Sequence, residues 1–145
     1  HPECLDAALN LGWIFFDEGQ VGEAAVLFER ALERHPDDGE VLYSLGRVLY
    51  REGRFDGAVA RLRQALRRQP ERTDTRAWLG AALCSAGRTE EGRRELRQAL
   101  REGPDEETAS FIRRQLRQRT PRTAGRSEGL PARTRKKAVR LQSAS

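Results

Sequence analysis

Apolar side chains recur at helical spacing along most of the chain, in short blocks separated by polar residues. One block contains Leu42, Leu45 and Leu49. The next block contains Leu62 and Ala65. Steps of three and four residues place such side chains on one face of a helix. The pattern therefore predicts consecutive amphipathic helices and an all-α chain.

A glycine and a proline mark the ends of these two blocks. Gly53 lies between them, where the C-terminus of a helix favours a residue in the left-handed conformation. Pro70 follows the second block, where it cannot continue the helix and starts the next turn instead. Small residues on the inner faces, such as Gly46 and Ala58, allow two antiparallel helices to approach closely. The two blocks together predict a helical hairpin.

The features of this hairpin return with a period of 34 residues. Six columns keep that period over three copies: Gly12, Gly46 and Gly80; Gly19, Gly53 and Gly87; Ala31, Ala65 and Ala99; Pro36, Pro70 and Pro104; Leu11, Leu45 and Leu79; and Phe28, Leu62 and Leu96. A fixed period of this length is the sequence signature of a repeat solenoid.

This pattern resembles the tetratricopeptide repeat (TPR), a helix–turn–helix of 34 residues whose signature includes Leu-Gly, small residues in the second helix, Ala and Pro. The resemblance implies an all-α superhelix, a TPR solenoid. The implied repeats span residues 5–38, 39–72 and 73–106, with residues 1–4 as the end of a preceding repeat or a linker. A capping helix is expected over 107–120, where Ile112 and Leu116 cover the open end of the stack.

The sequence departs from the family pattern in two respects. Ala8, Leu42 and Arg76 stand where the family has a tryptophan. Gly92 replaces the alanine found at Ala24 and Ala58, and a glycine inside a helix costs about 1 kcal/mol relative to alanine. We therefore expect the third repeat to pack less regularly.

The first helix is unusually apolar for a terminal element. It carries Trp13, Ile14, Phe15 and Phe16 with no polar helix before it. Two hypotheses remain open: the chain is the C-terminal portion of a longer array, or its N-terminal face pairs with another chain.

The resemblance also implies a binding surface, because the first helices of such hairpins line a concave groove. Carried over by position, the groove residues are Leu9, Trp13, Phe16, Asp17, Glu40, Tyr43, Arg47, Tyr50, Arg51, Asp74, Ala77, Ala81 and Cys84. Aromatic and arginine side chains suit a partner segment with apolar anchors and acidic groups. The small residues of the third repeat offer a floor for a bulky ligand side chain.

Other roles for these groove residues remain open. Trp13 and Phe16 could pack against an upstream repeat. Arg47 and Arg51 could form a solvated pair with acids such as Glu40, and Cys84 could be a small packing residue.

One specialised groove is not expected. TPR domains that clamp the C-terminal carboxylate of heat-shock chaperones use Lys, Asn, Asn, Lys and Arg. The matching positions are Leu9, Trp13, Ser44, Asp74 and Trp78, and none of them agrees.

The net charge of +5 is concentrated in residues 121–145, which carry +6 and leave −1 for residues 1–120. The segment is rich in Pro, Gly, Ser, Thr and Arg, a composition typical of disorder. Its candidate binding residues for nucleic acid or an acidic surface are Arg133, Arg135, Lys136, Lys137 and Arg140. Such binding would be independent of sequence and sensitive to salt.

The remaining chemistry is sparse. No catalytic motif is present, and two cysteines with two histidines scattered along the chain do not make a metal site. We expect no cofactor, no disulfide, a cytoplasmic location and no membrane span, since no apolar run approaches about 20 residues. The predicted function is a non-enzymatic scaffold or adaptor for protein–protein interaction. Two alternatives remain: a basic-tailed factor that docks on nucleic acid or an acidic surface, and the regulatory part of a longer enzyme.

Overall fold

The computed structural model describes residues 2–118, which form seven α-helices and no strand. The helices are α1 (Pro2–Asp17), α2 (Val21–Arg34), α3 (Gly39–Arg51), α4 (Phe55–Arg68), α5 (Thr73–Ser85), α6 (Thr89–Arg101) and α7 (Glu106–Arg117). The predicted all-α fold is confirmed. The segment predicted to be disordered, residues 121–145 with the basic side chains Arg133, Arg135, Lys136, Lys137 and Arg140, lies outside the described residues.

A glycine ends the first helix of each hairpin. Gly19, Gly53 and Gly87 have φ angles of 82°, 77° and 87°. Glycine adopts this left-handed region without the steric strain that a Cβ would cause. At the middle turn, the N–H of Arg54 donates to the carbonyl of Leu49 at 2.9 Å and so satisfies a free carbonyl at the helix end. The left-handed conformation predicted for Gly53 is confirmed.

Within each hairpin, a glycine of the first helix faces a large apolar side chain of the second. A Cβ on Gly46 would lie 2.6 Å from Cγ of Leu62, and a Cβ on Gly80 would lie 2.7 Å from Cγ of Leu96. Both leucines are fully buried. The predicted close approach of the two helices is therefore confirmed. Two of the columns that repeat every 34 residues, one of glycine and one of large apolar side chains, thus contact each other across the hairpin.

In the third hairpin, Gly92 lies close to the backbone of α5. A Cβ on this residue would lie 2.6 Å from the carbonyl oxygen of Gly80 and 2.8 Å from the backbone nitrogen of Cys84. The glycine thus permits backbone contact between α5 and α6. The expectation of less regular packing rested on helix propensity, which describes an isolated helix, and it stays a prediction; at this position the neighbouring helix decides which residue fits.

The hairpins stack so that their first helices form an inner layer. Helix α1 contacts α3, α3 contacts α5, and α5 contacts α7. Within the described part of the chain, α2, α4 and α6 do not contact one another, although α2 packs on α3 and α4 on α5. The first helices are therefore closer together than the second helices, which curves the stack toward the side of α1, α3, α5 and α7.

The two ends of the stack differ. Helix α7 closes one end by burying Ile112 against Ala77, Leu96 and Ala99. It covers residues 106–117, slightly different from the predicted 107–120, and residues 119 and 120 are outside the description. Helix α1 begins at Pro2, inside the segment 1–4 that was placed before the first repeat. Proline suits the first turn of a helix because its missing N–H is not needed there.

Candidate functional site

The predicted groove residues divide into two sets by exposure. The buried set contains Leu9, Phe16, Tyr43, Ala77 and Ala81. The partly or fully exposed set contains Trp13, Asp17, Glu40, Arg47, Tyr50, Arg51, Asp74 and Cys84. Of the predicted groove residues, those in the second set therefore present the more accessible side chains.

The expected floor of small residues in the third repeat is not open. Ala77 and Ala81 are both 0% exposed. Helix α7 causes this at Ala77, because its Ile112 packs in the same cluster. The protein's own side chains fill this place, and a bulky ligand side chain has no room there.

Cys84 lies between α5 and α6 and not in the groove. Its Sγ is the atom that a Cβ on Gly92 would meet at 2.6 Å. Burial raises the pKa of the thiol. Of the two roles considered for Cys84, the geometry therefore favours a packing residue.

Arg47 occupies a cage of aromatic rings contributed by three helices. Its Cζ lies 3.9 Å from the ring centre of Trp78, 5.3 Å from Trp13 and 5.5 Å from Phe16. Its Nη1 donates to the hydroxyl of Tyr43 at 2.8 Å. A guanidinium over aromatic faces is attracted by their quadrupoles. The side chain expected to bind an acidic partner is therefore engaged within the protein, where it ties α1, α3 and α5 together.

Arg72, in the turn before α5, neutralises two of the predicted groove acids. Its Nε and Nη2 donate to the carboxylate of Asp74 at 3.1 and 2.7 Å, and its Nη1 donates to Glu40. Its Cζ also lies 4.6 Å from the ring centre of Tyr43. Burial lowers the pKa of Arg72, but the hydrogen bonds and charges of Asp74 and Glu40 outweigh it and raise that pKa. The groove positions carried over from the repeat family all lie on the first helices of the hairpins. They could therefore not indicate Arg72, which lies in a turn.

An aromatic row continues along the inner layer from this cage. The ring centres of Tyr50 and Trp78 are 5.3 Å apart, and those of Trp78 and Phe111 are 4.3 Å apart. Trp78 and Phe111, both half-buried, were not among the predicted groove residues. Phe111 could have been found, because it follows Ala77 by one repeat period of 34 residues. Trp78 stands at a position that the chaperone clamp uses, one period after Ser44, but it was not carried over as a groove residue.

The aromatic row borders a cavity of about 720 Å³ between α3, α5 and α7, which we term the concave groove. Its lining residues are Tyr43, Arg47, Glu71, Arg72, Thr73, Asp74, Trp78, Asp105, Glu107, Thr108, Phe111 and Arg114. The predicted residues of α1 do not line it. Arg114 is exposed on α7, whereas Arg47 and Arg72 are engaged as described. The groove thus combines a half-buried aromatic pair with an exposed guanidinium.

Neither a metal centre nor a membrane span is found in this part of the chain. Residues 2–118 contain no group of three or more His, Cys, Asp or Glu side chains arranged to hold a metal ion. None of the described helices has the length and apolar character needed to cross a membrane.

The stacked hairpins and their inner groove define a helical repeat protein. The tetratricopeptide repeat family model matches residues 15–64 and 49–114, more than half of the chain. The chain belongs to the tetratricopeptide repeat family, and the resemblance seen in the sequence is confirmed. Comparison with curated protein sequences gave no match.

Solved structures of similar fold include an O-GlcNAc transferase from Thermobaculum terrenum (K341M mutant), with 28% identity and a TM-score of 0.70 over 72% of this chain. MamA AMB-1 is 30% identical with a TM-score of 0.61 over 77% of this chain. This chain spans 20% of the transferase and 63% of MamA AMB-1. The first TPR of Spaghetti (RPAP3), bound to the HSP90 peptide SRMEEVD, is 17% identical with a TM-score of 0.70 over 79% of this chain and 92% of its own. This last likeness shows the fold alone.

Proposed function

We propose that this protein is a non-enzymatic interaction module that holds a segment of a protein partner in the concave groove. The TPR fold supports protein interaction in general. The observation that carries the proposal is the half-buried pair Trp78 and Phe111 beside the exposed Arg114. Aromatic and arginine side chains dominate the binding energy of protein interfaces, which makes this pair the natural centre of one.

The groove favours a partner segment with an apolar anchor and an acidic group. The anchor packs on the rings of Trp78 and Phe111, and the acidic group pairs with Arg114. Arg114 takes the role first expected of Arg47, because the guanidinium of Arg47 already contacts Trp78 and Tyr43. Carboxylates at the rim, such as Glu107, can additionally accept a basic residue from the segment.

The interior contacts of the groove reduce the entropy cost of binding. Arg47 and Arg72 hold the rings and carboxylates in place before a partner arrives. A surface that is already ordered loses less conformational freedom on association. We therefore expect the backbone of the groove to change little on binding.

The peptide complex of Spaghetti (RPAP3) is a precedent for peptide binding on this fold. The same ligand is not proposed here, because Leu9, Trp13, Ser44, Asp74 and Trp78 do not reproduce the residues of the chaperone clamp.

The test begins with peptides selected by display against the 145-residue chain, followed by fluorescence anisotropy. Arg114→Glu is expected to weaken binding of acidic peptides about tenfold or more, because it replaces an attractive charge pair by a repulsive one. Arg117→Glu is the matched control: it makes the same charge change at an exposed site of α7 that does not line the groove. It should leave the affinity within about twofold after screening by salt.

Two results would contradict the proposal. One is an equal loss of affinity in both variants, which would indicate attraction to net charge. The other is binding that is unaffected by Arg114→Glu but lost when the chain is ended after Thr120, which would support the basic-tailed alternative. Circular dichroism confirms that each variant is folded.

A further inference from the structure

The stacking interface of the solenoid continues onto a face of α1 that no described residue covers. In α3 and α5, three positions on each helix that lie toward the preceding hairpin are at most 4% exposed: Val41, Leu45 and Val48, and Thr75, Leu79 and Ala82. One repeat period earlier, α1 has Ala7, Leu11 and Ile14. These are exposed, with Leu11 at 44% and Ile14 at 52%.

These side chains belong to a longer stripe along α1. Cys4 is also exposed and precedes Ala7 by three residues, so Cys4, Ala7, Leu11 and Ile14 follow steps of three, four and three. We term these four residues the α1 stripe. This spacing is that of the seam by which one helix packs along another.

We propose that the α1 stripe is the interface to a second copy of this chain, which docks its own α1 antiparallel across a two-fold axis level with residue 9. This pairing places Cys4 opposite the partner's Ile14 and Ala7 opposite the partner's Leu11. Each layer then combines one small and one large side chain, the arrangement that fills the space between two helices. Because α1 spans residues 2–17, the two helices overlap along nearly their whole length.

The charges at the ends of α1 favour the same orientation. Its last turn has no basic residue, and it ends at Asp17, followed by Glu18. By contrast, α2, α3, α4, α6 and α7 each carry arginine in the last turn, whereas α5, like α1, has no basic residue there. Acidic groups are unfavourable at the C-terminus of their own helix and favourable at the N-terminus of another. An antiparallel partner brings its N-terminus to Asp17 and Glu18.

Among residues 2–118, the other end of the stack offers no apolar surface to the stripe. The outer side of α7 carries the exposed residues Arg113 and Arg117 in place of apolar side chains. Head-to-tail stacking of copies would therefore leave Leu11 and Ile14 against arginine. A two-fold contact uses the stripe on both chains and closes at the dimer.

Sedimentation velocity of the 145-residue chain over a range of concentrations tests this interface. The wild type should approach twice the 16.4 kDa mass of one chain. Leu11→Glu should remain monomeric, because it buries two like charges near the axis. The matched control is Val26→Glu: Val26 is 47% exposed on α2, and its counterparts Ala60 and Arg94 are exposed as well. It should keep the dimer.

Disulfide trapping tests the predicted alignment. In Ile14→Cys, oxidation should join residue 14 of one chain to the partner's Cys4. The wild type should not cross-link, because antiparallel pairing separates the two Cys4 residues by about 15 Å along the axis, beyond disulfide reach. A wild type that stays monomeric, a dimer unaffected by Leu11→Glu, or a mass that grows past two chains would overturn the proposal. Arg114→Glu should leave the mass unchanged, which separates this interface from the groove.

Discussion

At the scale of single residues, glycines that look alike in the sequence have different roles. Gly92 in α6 lies against the backbone of α5, where a Cβ would come within 2.6 Å of the carbonyl oxygen of Gly80. Gly57 in α4 has a methyl group of Leu49 at 3.5 Å from the same hypothetical atom, an ordinary contact distance. Only the first of these positions requires glycine.

We therefore predict opposite effects for the same substitution at these two sites. Gly92→Ala should lower the free energy of unfolding by about 1–3 kcal/mol, because the two helices must separate to admit the methyl group. Gly57→Ala should raise it by up to about 1 kcal/mol, because alanine favours the helix and meets no clash. Urea denaturation followed by circular dichroism measures both. A higher midpoint for Gly92→Ala would show that α5 and α6 are not in backbone contact.

The site residues show which side-chain contacts could not be predicted from the sequence. The repeat period placed Tyr43 and Arg47 on the inner helix, and it would have placed Phe111 there had it been extended to α7. It could not show that the guanidinium of Arg47 lies on Trp78, because that contact depends on how α3 and α5 pack. Arg72 was missed for a related reason: it reaches Asp74 and Glu40 from a turn.

At the scale of elements, the helices and several of their ends could be predicted because their signals are local. Asp105 precedes α7 and accepts a hydrogen bond from the N–H of Thr108 at 2.8 Å, as Asp38 does for the N–H of Val41 at 3.0 Å before α3. Glycine at the hairpin turns is equally local. The burial of Ala77 was not predictable in this way, because it depends on α7 folding back over α5.

The cap of α7 should make its stability depend on pH. Hydrogen bonds from the side chain and the backbone N–H of Thr108 lower the pKa of Asp105 below its usual 3.8. A carboxyl group whose pKa is lower in the folded state stabilises that state above its unfolded pKa and loses this effect as pH falls through the folded value. The contribution of Asp105 should therefore be present at neutral pH and disappear as the pH falls below about 3.8.

Asp105→Asn isolates this effect, because asparagine caps helices but does not titrate in this range. The difference in thermal midpoint between wild type and Asp105→Asn should shrink between pH 7 and pH 3. A difference that stays constant over this interval would mean that the charge of Asp105 does not contribute. Asp105→Ala should lower the stability at every pH.

At the scale of the whole molecule, each hairpin is stabilised by its neighbours. The middle hairpin, α3 and α4, packs against α2 on one side and α5 on the other. Helix α1 has its stripe exposed, and α7 contacts only α5 and α6 within the described residues. In a linear array, stability is approximately the sum of the repeats and the interfaces between adjacent repeats.

Hydrogen exchange should therefore be slowest in α3, α4 and α5 and faster in α1 and α7. Leu62→Ala, at a fully buried position of the middle hairpin, should cost about 2–5 kcal/mol and speed exchange in all three hairpins, because it weakens both interfaces. Phe28→Ala is the matched change in the first hairpin, also fully buried, and its effect should be confined largely to α1, α2 and the adjoining α3, with which Phe28 shares a buried cluster. Equal and uniform acceleration by both variants would indicate that the chain unfolds as one unit. Exchange in α1 alone should slow as protein concentration rises, since the α1 stripe is the surface that a second copy would cover.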